Sequence, residues 1–133
     1  MTPVQIRVAC PDDRLKLAEM FLRCSIETRY RRFHGFLESI PEPYFTEALG
    51  GRPGHFALVA ATPATIVALA SCAEGELGIL VEDAYQRQGI GSRLLETLMA
   101  RGGYGAFLAS VQPDQAWIVP FLRRYSQIKI EFT

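Results

Sequence analysis

The sequence predicts a single α+β (mixed α/β) domain over residues 1–133, in the element order β-α-α-β-β-β-α-β-α-β. Strand-like segments run first as a meander and later alternate with helical ones, which is the mark of a mixed sheet covered by helices. The length of 133 residues is one domain's worth. With 49% apolar and 21% charged residues, the chain can bury a core without disulfide staples.

Each element has a local reason. Val4 to Val8 alternates apolar and polar residues, a strand signature. Cys10-Pro11-Asp12-Asp13 breaks it, and either aspartate suits the N-cap of the helix that follows. Leu15, Ala18 and Leu22 recur at helical spacing, widened by Leu17 and Phe21. Cys24 to Ser39 reads either as more helix or as a structured loop. A short helix is expected over Pro43 to Leu49, ended by Gly50-Gly51. His55–Ala61 and Ile66–Cys72 flank the turn Thr62-Pro63-Ala64-Thr65 as a hairpin. Leu77–Val81 reads as a strand buried on both faces. Ile90, Leu94, Leu95 and Leu98 mark an amphipathic helix stopped by Arg101-Gly102-Gly103. Ala106–Val111 is the next strand. Trp117 to Tyr125 reads as a helix with Pro120 in its first turn or at a kink, and Ile128–Phe132 closes the chain as a strand.

Composition excludes several function classes. Fourteen basic residues balance fourteen acidic ones, so no bulk positive field for nucleic acid exists. No apolar run approaches the roughly 20 residues of a membrane helix, and the first twenty residues carry no signal-peptide pattern. Three widely spaced cysteines, Cys10, Cys24 and Cys72, suit a reduced cytoplasmic protein with core or incidental thiols. His34 and His55 are isolated, so no metal site is expected. Arg supplies twelve of the fourteen basic residues. The Arg29, Arg31, Arg32 cluster reads as a solvated or ion-paired face, with contact to a ligand as the alternative.

The chemistry concentrates between Leu77 and Leu98, a strand, a short loop with two glycines, and a helix. The first amides of a helix lack intrahelical acceptors, and the helix dipole adds positive potential there. Glycines let the backbone approach a bound phosphate. The dinucleotide pattern fails because its third glycine falls on Leu94, and the P-loop fails because no Lys follows. The stretch Val81-Glu82-Asp83-Ala84-Tyr85-Gln86-Arg87-Gln88-Gly89-Ile90-Gly91 does resemble the V-x-x-x-Y-[QR]-x-x-G-x-G motif of the GNAT superfamily, the acyl-CoA-dependent N-acyltransferases. The element order from Val4 to Phe132 is similar to that family's over nearly the whole chain. Arg29 to Gly35, the Pro41-Glu42-Pro43-Tyr44 turn and Gly75 to Val81 are similar to a bacterial subgroup that includes protein-lysine acetyltransferases.

The resemblance implies an N-acetyltransferase that moves an acetyl group from acetyl-CoA to a primary amine, on a protein lysine or a small molecule. The loop amides of Gln86, Arg87, Gln88, Gly89, Ile90, Gly91 and Ser92 would hold the pyrophosphate, and the main chain of Ile79 and Val81 would pair with the pantetheine. Arg87 and Arg93 stand near enough in sequence to assist. Glu76 is the expected general base, with Glu74 as second choice, and alternation puts Glu76 on one strand face with Gly78, where the missing side chain leaves space for an acyl group or acceptor. The late-helix Asn and Tyr of the family fall on Gln115 and Leu122, which leaves Tyr125 as a weak candidate acid. The alternative function is an acyl-CoA-binding sensor or interaction domain without transfer. No metal, nucleic acid or membrane partner is implied, and a second copy pairing along the last strand as a homodimer is an open expectation.

Overall fold

The computed structural model describes residues 3–102 and 106–132. A six-stranded sheet runs in sequence order from β1 to β6. Its strands are β1 (Gln5–Val8), β2 (His55–Ala61), β3 (Ile66–Ala73), β4 (Glu76–Val81), β5 (Phe107–Val111) and β6 (Ile128–Phe132). The helices are α1 (Arg14–Arg23), α2 (Ile26–Phe33), α3 (Glu42–Leu49), α4 (Ile90–Gly102) and α5 (Val119–Leu122). β1 to β4 are antiparallel, and β5 and β6 continue the sheet in parallel. The expected mixed sheet is therefore present.

Three helices, not two, connect β1 to β2. Cys24 takes an extended conformation that ends α1, and the Ser25 side chain accepts a hydrogen bond from the Thr28 amide to start α2. His34, left-handed at φ 55°, ends α2. The buried stripe of α1 also differs from the expected one. Leu17, Met20, Phe21 and the flanking Cys24 enter the core, while Leu15 and Leu22 are exposed. Asp13 precedes α1, yet its carboxylate does not cap it. Both oxygens take Arg7, at 2.7 and 2.8 Å, and one also accepts from the Cys10 amide. The Arg7 guanidinium holds the Asp13 carboxyl down at about 2, against the opposing effect of burial.

The sheet separates two apolar layers. On one face Leu17, Met20, Phe21, Phe45 and Leu49 pack on Val59, Leu69 and Leu80. On the other, Leu94, Leu95 and Leu98 of α4 pack on Leu58, Ala60, Ala68 and Phe107. The β2–β3 turn closes where expected, with the Thr62 amide donating to the Thr65 carbonyl. The β3–β4 turn uses only Glu74 and Gly75, both at positive φ (51° and 90°), as a two-residue hairpin turn demands.

Two expectations near the chain's second half need correction. β4 is not buried on both faces: Leu80 alone is fully buried, and the others are half-buried or exposed. The cause is its far side, where β5 meets β4 at the single pair Glu76–Leu108 and then parts from it. The segment 117–125 is not one helix. A 3-10 stretch over Pro113–Ile118, irregular at Gln115, precedes α5, which spans four residues with Pro120 in its first turn. Tyr125 lies beyond α5. Gly103, half of the expected stop to α4, lies outside the described residues.

Candidate functional site

The parting of β4 from β5 makes a cleft, and the backbone shows which groups it leaves open. The Gly75 carbonyl accepts from the Leu108 amide, so by strand alternation the main chain of Leu77, Ile79 and Val81 also points toward β5. β5 pairs with β4 at Glu76, so among the described residues the edge of Ile79 and Val81 meets no strand. These are the two residues expected to pair with a pantetheine. The Val81 carbonyl is taken by the Gln86 side chain at 3.0 Å, and its amide stays available on that edge.

At the open end of the cleft lies the loop from Gln86 to Gly89, with α4 beginning at Ile90. Arg87 and Gly89 both have positive φ (62° and 80°), the left-handed torsion from which anion-binding backbone concavities are built. Gly91 has ordinary backbone angles, and a Cβ there would meet only Val81 Cγ2 at 3.9 Å. Nothing within the protein demands a glycine at 91. Ile90 instead turns its side chain into the core and anchors the first turn.

The loop is held from behind by the α1–α2 junction. Asp83 accepts from the Ser25 amide at 2.8 Å and from the Thr28 hydroxyl at 3.1 Å. Gln86 Nε2 donates to the same Thr28 hydroxyl, and Glu82 is ion-paired with Arg23 at 2.8 Å. Burial raises the Asp83 carboxyl, but hydrogen bonds from Ser25 and Thr28 outweigh it and hold the group below its ordinary range. The Gln86 side chain is thus structural. Gln88 likewise donates to the Ala84 carbonyl. Arg87 and Arg93 are exposed, and Arg93 lines a separate depression with Val4 to Ile6 and Glu96.

At the closed end stands Glu76, exposed, with Ser110 of β5 donating to its Oε1 at 3.4 Å. Alternation along β4 puts it on the face of Gly78 and Leu80, as expected. The space over Gly78 is not vacant, however. A Cβ on Gly78 would stand 2.5 Å from Arg32 Cζ, because the Arg32 guanidinium lies on the glycine and donates to Ser71 at 3.2 Å. Glu74 sits in the β3–β4 turn, 3.9 Å from His55 Nε2, and is not beside Glu76 on the strand. Tyr125 packs with the α4 layer and its hydroxyl donates to Glu96 at 3.3 Å, away from the face that carries Glu76.

Past the end of β5, Gln115 is buried with its Nε2 lacking a partner, and Gln112 Oε1 is likewise buried and unpaired. Buried amides without partners are uncommon. Both follow the C-terminal end of β5, the end at which β4 and β5 have parted. Gln115 was visible in the sequence only as a departure from the family Asn. The arginine cluster divides into three roles the sequence did not separate. Arg29 donates to the Phe21 and Leu22 carbonyls and closes α1, Arg31 pairs with Glu27 and lies over Trp117, and Arg32 lies over Gly78 on the face of β4. The two buried thiols are poor nucleophiles: burial pushes Cys24 up to about 11 and raises Cys72.

Comparison with known proteins agrees with this geometry. Residues 19–124 match the Acetyltransferase (GNAT) family. No protein of curated function matches the chain. Among solved structures, the chain is similar to the GNAT domain of S. lividans PAT, with a TM-score of 0.80 at 20% identity, covering 91% of this chain and 79% of that one. It is similar to an acetyltransferase of the GNAT family from Streptococcus pneumoniae, with a TM-score of 0.72 at 19% identity over 93% and 83% of the two chains. An aminoglycoside N-acetyltransferase in complex with CoA gives 0.70 at 13% identity, over 98% and 91%. At such identities the structures speak for the fold, and the family match covers most of the chain. The protein belongs to the acetyltransferase (GNAT) family, whose members are acyl-CoA-dependent acetyltransferases.

Proposed function

We propose that this chain transfers an acetyl group from acetyl-CoA to a primary amine, with Glu76 as general base. The supporting observation is placement: Glu76 stands at the closed end of a cleft whose open end is the amide-rich loop from Gln86 to Ser92. In this reading the loop amides and the α4 N-terminus hold the pyrophosphate. The Ile79 and Val81 main chain and the unpaired Gln115 amide take polar groups along the arm. Acetyl-CoA supplies the acyl group: the amine nitrogen bonds to the acyl carbon, the carbon–sulfur bond breaks, and CoA leaves as the thiol.

The protein's own task is the proton. A lysine-type amine has a pKa of about 10.4 and is almost wholly protonated at neutral pH. Of the two protons the nitrogen loses, Glu76 takes the first and the leaving thiolate carries off the second. Ser110 occupies one oxygen of Glu76, and the remaining lone pairs are open to an ammonium. A general base of this kind contributes about 10²–10⁴-fold.

A melting series with acetyl-CoA, followed by thiol release on a panel of amines and lysine peptides, tests the reading. Ligand at 100 times its dissociation constant stabilises a fold by about 2.7 kcal/mol, so the melt should rise clearly. An unmoved melt contradicts the proposed cofactor site. A raised melt with no thiol released on any amine is the behaviour of an acyl-CoA sensor.

A further inference from the structure

We infer that the acceptor is a small amine that also carries a carboxylate, held by Arg32, Tyr44 and His55 beside Glu76. This rests on Glu76 as the base proposed above. The site is a cavity of about 210 Å³ between α3 and the hairpin of β3 and β4, lined among others by Arg32, Tyr44, Glu47, His55, Ser71 and Glu76. That is smaller than the roughly 300–1,000 Å³ of pockets for drug-sized ligands, and it suits a molecule of amino-acid size.

Its charges are arranged for a zwitterion. Arg7, Arg14, Arg23 and Arg31 each pair with a carboxylate, whereas half-buried Arg32 has no ion-pair partner among the described residues. It spends a single hydrogen bond, on Ser71, out of five guanidinium N–H donors. The Phe33 and Tyr44 rings lie 4.6 and 5.0 Å from its Cζ and hold the fork in place. A partly desolvated cation without a counter-ion is costly unless a ligand brings the anion.

Two further groups in the lining lack partners. Tyr44 Oη and His55 Nδ1 are both buried without a hydrogen bond, and the His55 side chain is only 8% exposed. A carboxylate with two oxygens can satisfy Arg32 and the Tyr44 hydroxyl together. His55 can donate through Nδ1 in the appropriate tautomer.

At the other end, Glu76 precedes Gly78 by two residues on the same strand face, about 6.6 Å along the strand at the usual rise. One molecule of amino-acid dimensions can therefore reach the guanidinium over Gly78 with its carboxylate and Glu76 with its ammonium. Glu47 adds a second carboxylate to the lining and opposes a second anionic group on the ligand. A peptide lysine brings no carboxylate of its own to Arg32. A polycationic amine brings charge of the wrong sign.

The test is calorimetric titration of glycine, β-alanine and γ-aminobutyrate, each beside its primary amide, into protein saturated with CoA. We expect at least one acid to bind at least about tenfold more tightly than its amide, the effect of a charge-assisted fork. Arg32→Met should remove that difference, and Tyr44→Phe, which keeps the ring, should narrow it several-fold. Should Arg32→Met fail to fold, the Tyr44→Phe result alone decides. Acids and amides that bind alike, or no acid that binds while CoA does, overturn the inference. Arg32-dependent binding of an acid without thiol release would uphold the carboxylate site and defeat the transfer reading. Thiol release on lysine peptides that ignores Arg32→Met would do the reverse.

Discussion

The loop at one end of the cleft is seven consecutive residues, Gln86 to Ser92, proposed to work through their main-chain amides. The pocket at the other end draws Arg32 from α2, Tyr44 from α3, His55 from β2, Ser71 from β3 and Glu76 from β4. An anion site made of backbone depends on torsions that glycine and helix starts set locally. A pocket made of side chains depends on which strands lie side by side, and that is decided by the whole sheet. Chemistry written in one stretch of sequence is therefore readable from it, while chemistry assembled across five elements is not.

The largest effect should follow from breaking the local end. Gly91→Val has room inside the protein, since its Cβ would make only an ordinary contact with Val81. It would stand where the pyrophosphate is proposed to lie. With charge-assisted hydrogen bonds at about 1.5–3 kcal/mol each, we expect CoA affinity to fall at least about 100-fold with the melt of the free protein nearly unchanged. A folded variant that binds CoA normally would show that the loop does not cradle phosphate.

A smaller effect should show how far the loop depends on its support. Asp83→Asn weakens the links to Ser25 and Thr28 and should cost about fivefold in CoA affinity, roughly 1 kcal/mol of hydrogen bonding. The same link gives a pH sign. The Asp83 carboxyl is held below its ordinary value in the fold. Its contribution is therefore complete above the unfolded carboxyl range and fades as pH falls below it. CoA affinity should decline more steeply with acid in the wild type than in Asp83→Asn, as titrations from pH 6 to pH 3 would show. Equal slopes would place the acid sensitivity elsewhere.

The smallest effect is expected at Tyr125. Its hydroxyl donates to Glu96 and its ring packs against Phe121 at 5.8 Å. Tyr125→Phe should change turnover by less than about twofold, since an exposed hydrogen bond of this kind is worth at most about 1 kcal/mol to the fold and nothing to the cleft. A drop of tenfold or more in thiol release would restore it as a proton donor.

Periodicity and turn chemistry made most of the fold legible. The hairpin of β2 and β3, the strand ahead of the glycine loop and α4 stand where the pattern put them, within a residue or two. The exceptions have physical causes. α1 buries Leu17 and Phe21 as expected and adds Met20, but leaves Leu15 and Leu22 exposed, because a run of apolar residues around the helix leaves its facing side to tertiary packing. α2 was obscured by its charged residues, since its start depends on one serine cap and its end on a left-handed histidine. Of the site, Ile79, Val81, Glu76 and the glycine loop carried a signal. Arg32 carried only its cluster's alternative of ligand contact, because its place over the bare strand at Gly78 is decided by the fold. Tyr44 stood out only as part of the Pro41–Tyr44 turn, with no role attached, and His55 gave no signal, since it forms no motif with its chain neighbours.

The central claim is that Glu76 accepts the acceptor's proton and takes no part in holding the acyl donor. The most direct measurement is thiol release from acetyl-CoA across pH 6 to 9 by wild type and Glu76→Gln on a verified acceptor, with CoA affinity measured on the same samples. The account predicts turnover lower by about 10²–10⁴-fold, loss of the acidic limb of the rate profile, and CoA affinity within about twofold of wild type. Wild-type turnover in Glu76→Gln would contradict it and move the search for the base to Glu74.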